Sequence, residues 1–383
     1  MQEQGQKKDV AIAKKPESNE RRKFLKTAAA AGAAVAASSA VGPFIQTAKA
    51  KTTVWKMQST WDAGTSGYTL FENWCKSFKE KSGGEFDIKP FPAKSVAADN
   101  NALFEAVKTG VLQGMNAFTL YWAGKIPASV FLSSYPMGPD QPAQWDIMFD
   151  ALGMKELARK IYAKHGLFYV GHVQHDANII HSKKPVTSLA DFKGMKLRVP
   201  GGMVAEVFQS FGASTVSLPG SDIFPALEKG TIDAADYVGP AVNWDLGFAQ
   251  VTKYILFGPP GVMSLYQPVD LMEVSCNLGA WKRLSPEMQA LMEEQVKVFS
   301  SEHFLGIQKR NVEALAKFKD AGSEISRLSP EDAVQFRKNA IPIWYNWGKK
   351  SPEAAEVLQF QIDFMLNPLM GYLTPEDIKG YSL

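Results

Sequence analysis

Apolar positions fall at helical spacing in "TSGYTLFENWCKSFKEKSGG", where Leu70, Phe71, Trp74, Cys75 and Phe78 share one face and Gly83-Gly84 stops the run. Before it, "KTTVWKMQS" (51–59) is rich in β-branched and aromatic residues and predicts a strand. After it come "EFDIKPFPA" as a second strand, "NNALFEAVKTG" as a helix with a glycine end, and "VLQGMNAF" as a third strand. Near residue 195 the pattern restarts. "MKLRVPG" predicts a strand, "GMVAEVFQSFG" a helix, "STVSLP" a strand, "SDIFPALEKG" a capped helix and "TIDAADYV" a strand. Strand–helix alternation of this kind predicts a parallel α/β sheet, here in two lobes.

The two halves echo each other in detail. "FEAVKTGVLQGMNAFTL" and "FPALEKGTIDAADYVGP" align with an offset of 120 residues. Phe104 answers Phe224, Ala106 answers Ala226, Gly110 answers Gly230, and Asn116 answers Asp236. Each copy follows a strand ending in proline, "KPFPAKS" and "VSLPGSD". The second copy carries a carboxylate where the first carries an amide.

Residues 284–320 carry one nearly unbroken helical pattern, with Ser285-Pro286-Glu287 at its start and Gly322 at its end. Its length, on the order of 50 Å, could span both lobes. Two further helices are predicted in "LSPEDAVQFRKNAIPIWYNWGKK" and "SPEAAEVLQFQIDFML". The last is apolar on one side, which either caps its own lobe or packs a second subunit as a homodimer.

With 383 residues, 45% hydrophobic and 21% charged, the chain can bury a sizeable core. Its net charge of +3 is uneven. Residues 1–50 hold nine of the 42 Lys/Arg and four of the 39 Asp/Glu, which leaves 33 and 35, a net of −2, for the rest. A near-neutral body argues against nucleic acid as the main partner. The basic start, Arg21-Arg22 followed by an uncharged Ala-rich run to Ala48, resembles a twin-arginine (Tat) signal peptide over residues 1–50, with Glu20 where Ser or Thr is usual. Export to the periplasm follows. The two cysteines, Cys75 and Cys276, are placed on separate apolar faces, which favours two buried thiols over a disulfide.

Catalytic motifs are missing: there is no G-x-S-x-G, no H-E-x-x-H and no Walker loop, so the expectation is a protein that is not an enzyme. His172 and His175 in "GHVQHDANIIHS" are three apart on a predicted strand and so point to opposite faces, which argues against an ion shared with His181. Binding chemistry is better supplied. Ligands of open parallel sheets sit beyond the C-terminal strand ends, where the chain places Arg198, Asp236-Tyr237 and Tyr121-Trp122. Gln174 and Asn178 flank the turn where the chain leaves one lobe for the other. Arg198, just before Pro-Gly-Gly and a helix start, suits an anion. Asp236 would repel that anion unless a cation stood between them, or unless it served as a second partner of Arg198.

Along nearly its whole mature length the chain resembles the periplasmic solute-binding subunits of TRAP (tripartite ATP-independent periplasmic) transporters, in the branch that binds α-keto acids and lactate. The resemblance is carried by "WDAGTSGYTLF", "AVKTGVLQGMNAFTLYWAGKIP", "GLFYVGHVQHDANIIHSKKP", "DFKGMKLRVPGGM", "ALEKGTIDAADYVGPAVNWDLGF" and "QPVDLM". It implies an α/β, two-lobed periplasmic binding protein fold with a long helix spanning both lobes. Lobe I would hold 51–176 with a return segment 268–310, lobe II 177–267 with a return segment 311–350, and 351–383 a helical tail. It implies Arg198 on the carboxylate of a small 2-oxo or 2-hydroxy acid, with Asn178 also on the substrate. A metal cation, sodium or calcium, would be held by Asp236, the Tyr237 carbonyl, Gln267 and Gln174. Trp61, Tyr121 and Trp122 would wall the site, and TRAP membrane permease subunits would receive the ligand. A receptor of an ABC transporter or sensor system, and an enzyme on the same scaffold, are the alternatives.

Overall fold

In the computed structural model, residues 52–383 are described, so the twin-arginine segment lies outside the described residues. The first alternation runs β1 (Thr53–Ser59), α1 (Ser66–Lys81), β2 (Phe86–Phe91), α2 (Asn100–Lys108) and β3 (Gly114–Phe118). Short helix α3 (Pro142–Asp146) and α4 (Met154–Ala163) lead to β4 (Leu167–Gln174), and β5 (Ile179–Ser182) then enters a second sheet. There the pattern repeats as β6 (Lys196–Arg198), α5 (Gly202–Ser210), β7 (Ser214–Val216), α6 (Gly220–Glu228) and β8 (Ala234–Tyr237), followed by α7 (Pro240–Asp245) and β9 (Tyr254–Phe257). β10 (Leu271–Asn277) returns to the first sheet. The chain ends with α8 (Leu278–Lys282), α9 (Pro286–Asp320), β11 (Glu324–Arg327), α10 (Pro330–Gly348) and α11 (Pro352–Met365).

The strand orders are β2-β1-β3-β10-β4 and, read in the matching direction, β7-β6-β8-β5-β9-β11. The internal echo is therefore topological. Helices α2 and α6 have nine residues each and start 120 residues apart, and each ends at a left-handed glycine, Gly110 (φ 82°) and Gly230 (φ 71°). The sheets are mixed, not parallel as the alternation predicts. β10 runs antiparallel to β3 and β4, and β5 antiparallel to β8 and β9. Each of these strands arrives directly from the other half of the chain, with no crossover helix to return it to the parallel direction. α6 also starts differently from expectation: its cap residue is Pro219, with no side-chain hydrogen bond.

The long helix is one 35-residue element, capped by Ser285 on the Met288 amide. Its buried face repeats every three or four residues (Val296, Phe299, His303, Ile307, Asn311, Ala314, Phe318) and packs on β4 and α1 of the first half and α7 of the second. Two apolar layers each draw on both sheets. One joins Leu103, Met115 and Tyr169 to Leu197, Phe208 and Phe336; the other joins Phe71, Phe78 and Val274 to Ile223, Val242 and Phe248. The apolar side of α11 (Val357, Leu358, Ile362, Met365) is buried against α10, α4 and the turn at 127–131. The surface that the sequence offers to a second subunit is thus covered by its own chain. Cys75 and Cys276 are both buried and free. Among the described residues, no helix is long and apolar enough to cross a membrane.

Candidate functional site

The C-terminal ends of β3, β6 and β8 meet the two crossing segments, 175–178 and 267–270, around a small chamber whose lining is almost wholly buried. Its lining includes Phe118, Tyr121, Asn178, Arg198, Pro200, Tyr237, Gln267 and Asp270. Contacts between the halves close the cleft outside it: Lys94 pairs with Asp222 at 2.9 Å, and Asp245 accepts from the Ser66 amide and hydroxyl at 2.7 and 2.6 Å.

Arg198 is 1% exposed, although it is a permanently charged side chain. Its Nε and Nη2 donate to the Leu218 carbonyl at 2.9 and 2.8 Å, and Nη1 donates to the Asp236 carbonyl at 2.6 Å. Three of its five N–H groups are so used, which leaves two for a ligand. The Tyr237 ring lies against the guanidinium, with the centroid 5.0 Å away. The turn after β6 passes through Gly201 (φ 100°) and Gly202 (φ 57°), left-handed conformations that glycine adopts without strain. Gly220 is required for another reason: a Cβ there would stand 2.3 Å from the Tyr237 hydroxyl.

Asp236 is fully buried, and neither carboxylate oxygen has a hydrogen-bond partner. Burial pushes its carboxyl up to about 7, against the pull of Arg198. The Asn178 amide is near enough to favour the charged form without being aligned for a hydrogen bond. Its counterpart in the echo behaves oppositely. Asn116 donates to the Glu273 carbonyl and accepts from Ser59, tying three strands together. Asn178 donates to Gln267 Oε1 at 2.9 Å, which leaves Asn178 Oδ1 and Gln267 Nε2 buried without partners. A cluster of unpaired buried polar atoms is uncommon in folded proteins and calls for an explanation. Exchanging O and N on both amides keeps their mutual bond and frees Gln267 Oε1, so that it and the Asp236 carboxylate offer the oxygens that a hard cation takes. The residues present therefore fit such an ion.

Of the candidate residues, Arg198, Asn178, Tyr121, Tyr237 and Gln267 line the chamber, and Asp236 lies behind them, close to Arg198 and Asn178. Gln174 is a correction. It shares a face of β4 with His172, and its amide donates to the Pro142 carbonyl and to Asp146, away from the chamber. The strand's two-residue period aims His172 at the same carboxylate, at 2.8 Å. Trp122 is a second correction. Tyr121 and Trp122 are consecutive in the turn Thr119–Trp122, and where Tyr121 faces the chamber, Trp122 enters the core beside Phe104 and donates to Glu273 at 2.8 Å. Trp61 is likewise internal, packed among Phe118, His175 and His303. His172, His175 and His181 make no shared site: His175 and His181 are each buried among aromatic rings.

Sequence reasoning passed over Asp270. It lines the chamber, accepts from Ser133 and from the Leu271 amide, and is held well above the usual carboxylate range by burial and by Asp236 and Asp176. The signal was an acid directly after Gln-Pro-Val and at the start of the mostly apolar stretch "DLMEVSC". Asp176 pins the crossing segment instead, accepting from Gly239 N and Asn311.

Glu273, the partner of Trp122, is buried with one oxygen unpaired, and burial raises its carboxyl to about 7. Below about pH 4.5 it is protonated folded or unfolded. Between there and pH 7 only the unfolded chain ionises, so stability falls as pH rises. We expect Glu273→Gln to lose less stability than the parent between pH 5 and 8, by on the order of 2 kcal/mol, read from denaturant unfolding at the two pH values. Equal slopes would count against this.

Comparison with known proteins agrees with this fold. The DctP profile, bacterial extracellular solute-binding protein family 7, matches residues 57–350. A monocarboxylate 2-oxoacid-binding periplasmic protein from Nostoc is 29% identical, over 88% of this chain and 92% of its own. A TRAP transporter solute-binding protein from Bordetella bronchiseptica, solved with copurified calcium and picolinate, superposes with a TM-score of 0.74 at 25% identity, covering 82% of this chain and 93% of that one. Another from Pseudoalteromonas atlantica, with bound sodium and pyruvate, gives 0.72 at 24% identity, covering 82% and 94%.

Proposed function

The chain belongs to the family 7 bacterial extracellular solute-binding proteins, the receptors of TRAP transporters, and from that premise we propose that it captures a small 2-oxo or 2-hydroxy monocarboxylate, pyruvate-like, together with a sodium or calcium ion. One observation carries the reading. Arg198, with two N–H groups to spare, lines the chamber and lies near the buried Asp236 carboxylate, whose oxygens have no partner. The 2-oxoacid-binding Nostoc relative and the calcium with picolinate in the Bordetella protein support it.

In this reading Arg198 grips the carboxylate of the ligand and Asn178 contacts it. Asp236, Gln267, the Tyr237 carbonyl and Asp270 would hold the ion, whose positive charge lets acidic side chains face an acid. Lobe I (51–176 with 268–310) and lobe II (177–267 with 311–350) shut by a hinge, and the Lys94–Asp222 pair holds the closed form. The Arg21-Arg22 segment directs export to the periplasm by the twin-arginine route, and the ligand passes to the membrane permease.

A micromolar dissociation constant corresponds to about 8 kcal/mol, whereas one charge-assisted hydrogen bond contributes roughly 1.5–3 kcal/mol. The guanidinium, the ion and lobe closure must therefore share the affinity. Calorimetric titration of the mature protein, stripped of ligand by unfolding and refolding, tests this with 2-oxo and 2-hydroxy acids in sodium, calcium and chelated buffers. The expected result is micromolar or tighter binding with a cation and at least about 100-fold weaker binding without one. No binding of any acid in any buffer would sink the substrate class.

A further inference from the structure

The chamber is not the only space in the cleft. A second pocket adjoins it, lined by Gln58, Thr60, Asp62, Lys94, Leu103 and Gly220 among others. Tyr121 lines both spaces. Its position is held on two sides: the ring meets Phe118 edge-on at 5.8 Å, and the hydroxyl lies beside Arg198.

We infer that Tyr121 is the partition that sets the length of acid admitted, and that the outer compartment is a subsite for the uncharged chain of a longer 2-oxo acid once this ring is removed. The inference rests on the reading of the chamber as a 2-oxo acid site. A small acid held by Arg198 leaves its substituent pointing away from the guanidinium, and the Tyr121 ring closes the space between the two compartments. The chemistry of the outer walls sets the kind of chain. Lys94, the cation in its lining, is already paired with Asp222, and Asp62 and Asp99 add negative charge. The Thr60 hydroxyl is buried there without a partner. An alkyl or hydroxylated chain fits such walls, whereas a second carboxylate would face Asp62 and Asp222.

The test compares the parent with Tyr121→Ala, Tyr121→Leu and Tyr121→Phe by calorimetry in calcium buffer, with thermal melts to show that each is folded. The probes are pyruvate, 2-oxohexanoate and the dicarboxylate 2-oxoadipate. The parent should prefer pyruvate to 2-oxohexanoate by about 100-fold. Tyr121→Ala should bind pyruvate about tenfold more weakly and 2-oxohexanoate at least tenfold more tightly. Tyr121→Leu should shift the same way, less far. Tyr121→Phe, which keeps the ring, should keep the parent's order, and 2-oxoadipate should stay rejected throughout.

A Tyr121→Ala protein that keeps the parent's order, or a parent that binds 2-oxohexanoate as well as pyruvate, would overturn the partition while the 2-oxo acid reading stands. Tight binding of 2-oxoadipate by Tyr121→Ala would overturn the uncharged subsite. A parent that binds none of the three overturns the underlying reading and the partition with it.

Discussion

Arg198→Ala is expected to lower acid affinity by at least about 100-fold, the loss of two charge-assisted hydrogen bonds at roughly 1.5–3 kcal/mol each. The same change leaves the Leu218 and Asp236 carbonyls without the donors they now have, so the unfolding temperature should drop as well. Circular dichroism separates the two effects, because the sheets draw on other strands and should persist. Arg198→Lys keeps the charge but cannot fork between two carbonyls and a ligand, so it should fall between the parent and the alanine variant. Unchanged affinity in a folded Arg198→Ala protein would remove this residue from the site.

The second large effect has two opposite parts. Asp236 is forced to about 7 by burial, well above its ordinary range. Without a cation, it is protonated folded and ionised unfolded between about pH 4 and 7. Stability therefore falls as pH rises through that window, and the full loss is present above pH 7. Asp236→Asn should remove that loss, giving a protein more stable than the parent at pH 8 in chelated buffer. It should also abolish stabilisation by calcium and cation-dependent acid binding. In the parent, the cation competes with a proton, so its apparent affinity should weaken about tenfold per pH unit below pH 7. Melting curves at pH 5.5 to 8, with and without calcium, read all of this. If acid binding needs no cation and survives in Asp236→Asn, Asp236 is only the companion of Arg198.

Much of the fold was legible because its signals are local. The 120-residue echo, the glycines that end α2 and α6, and the Ser285-Pro286 start of α9 all rest on backbone preferences that act within a few residues. Strand direction was not legible in the same way. β5 and β10 read as ordinary apolar strands, and their antiparallel placement follows from where the chain crosses between the sheets.

The site divides along the same line. Arg198 and Asp236 could be picked out because each is a charge at the C-terminal end of a short strand, a position where burial without a ligand or partner is costly. Tyr121 and Trp122 look interchangeable in "TLYW", yet one turn of backbone sends the first to the chamber and the second to Glu273. Gln174 stood at the right strand end and on the wrong face, and Asp270 reached the chamber from a segment nearly a hundred residues away. Sequence by itself determined the repeating units and their order, since propensity, caps and apolar periodicity are properties of short stretches. Which side chains meet, and which buried oxygens are left without partners, was decided only by the tertiary structure, because those depend on strand parity and on packing between segments far apart in the chain.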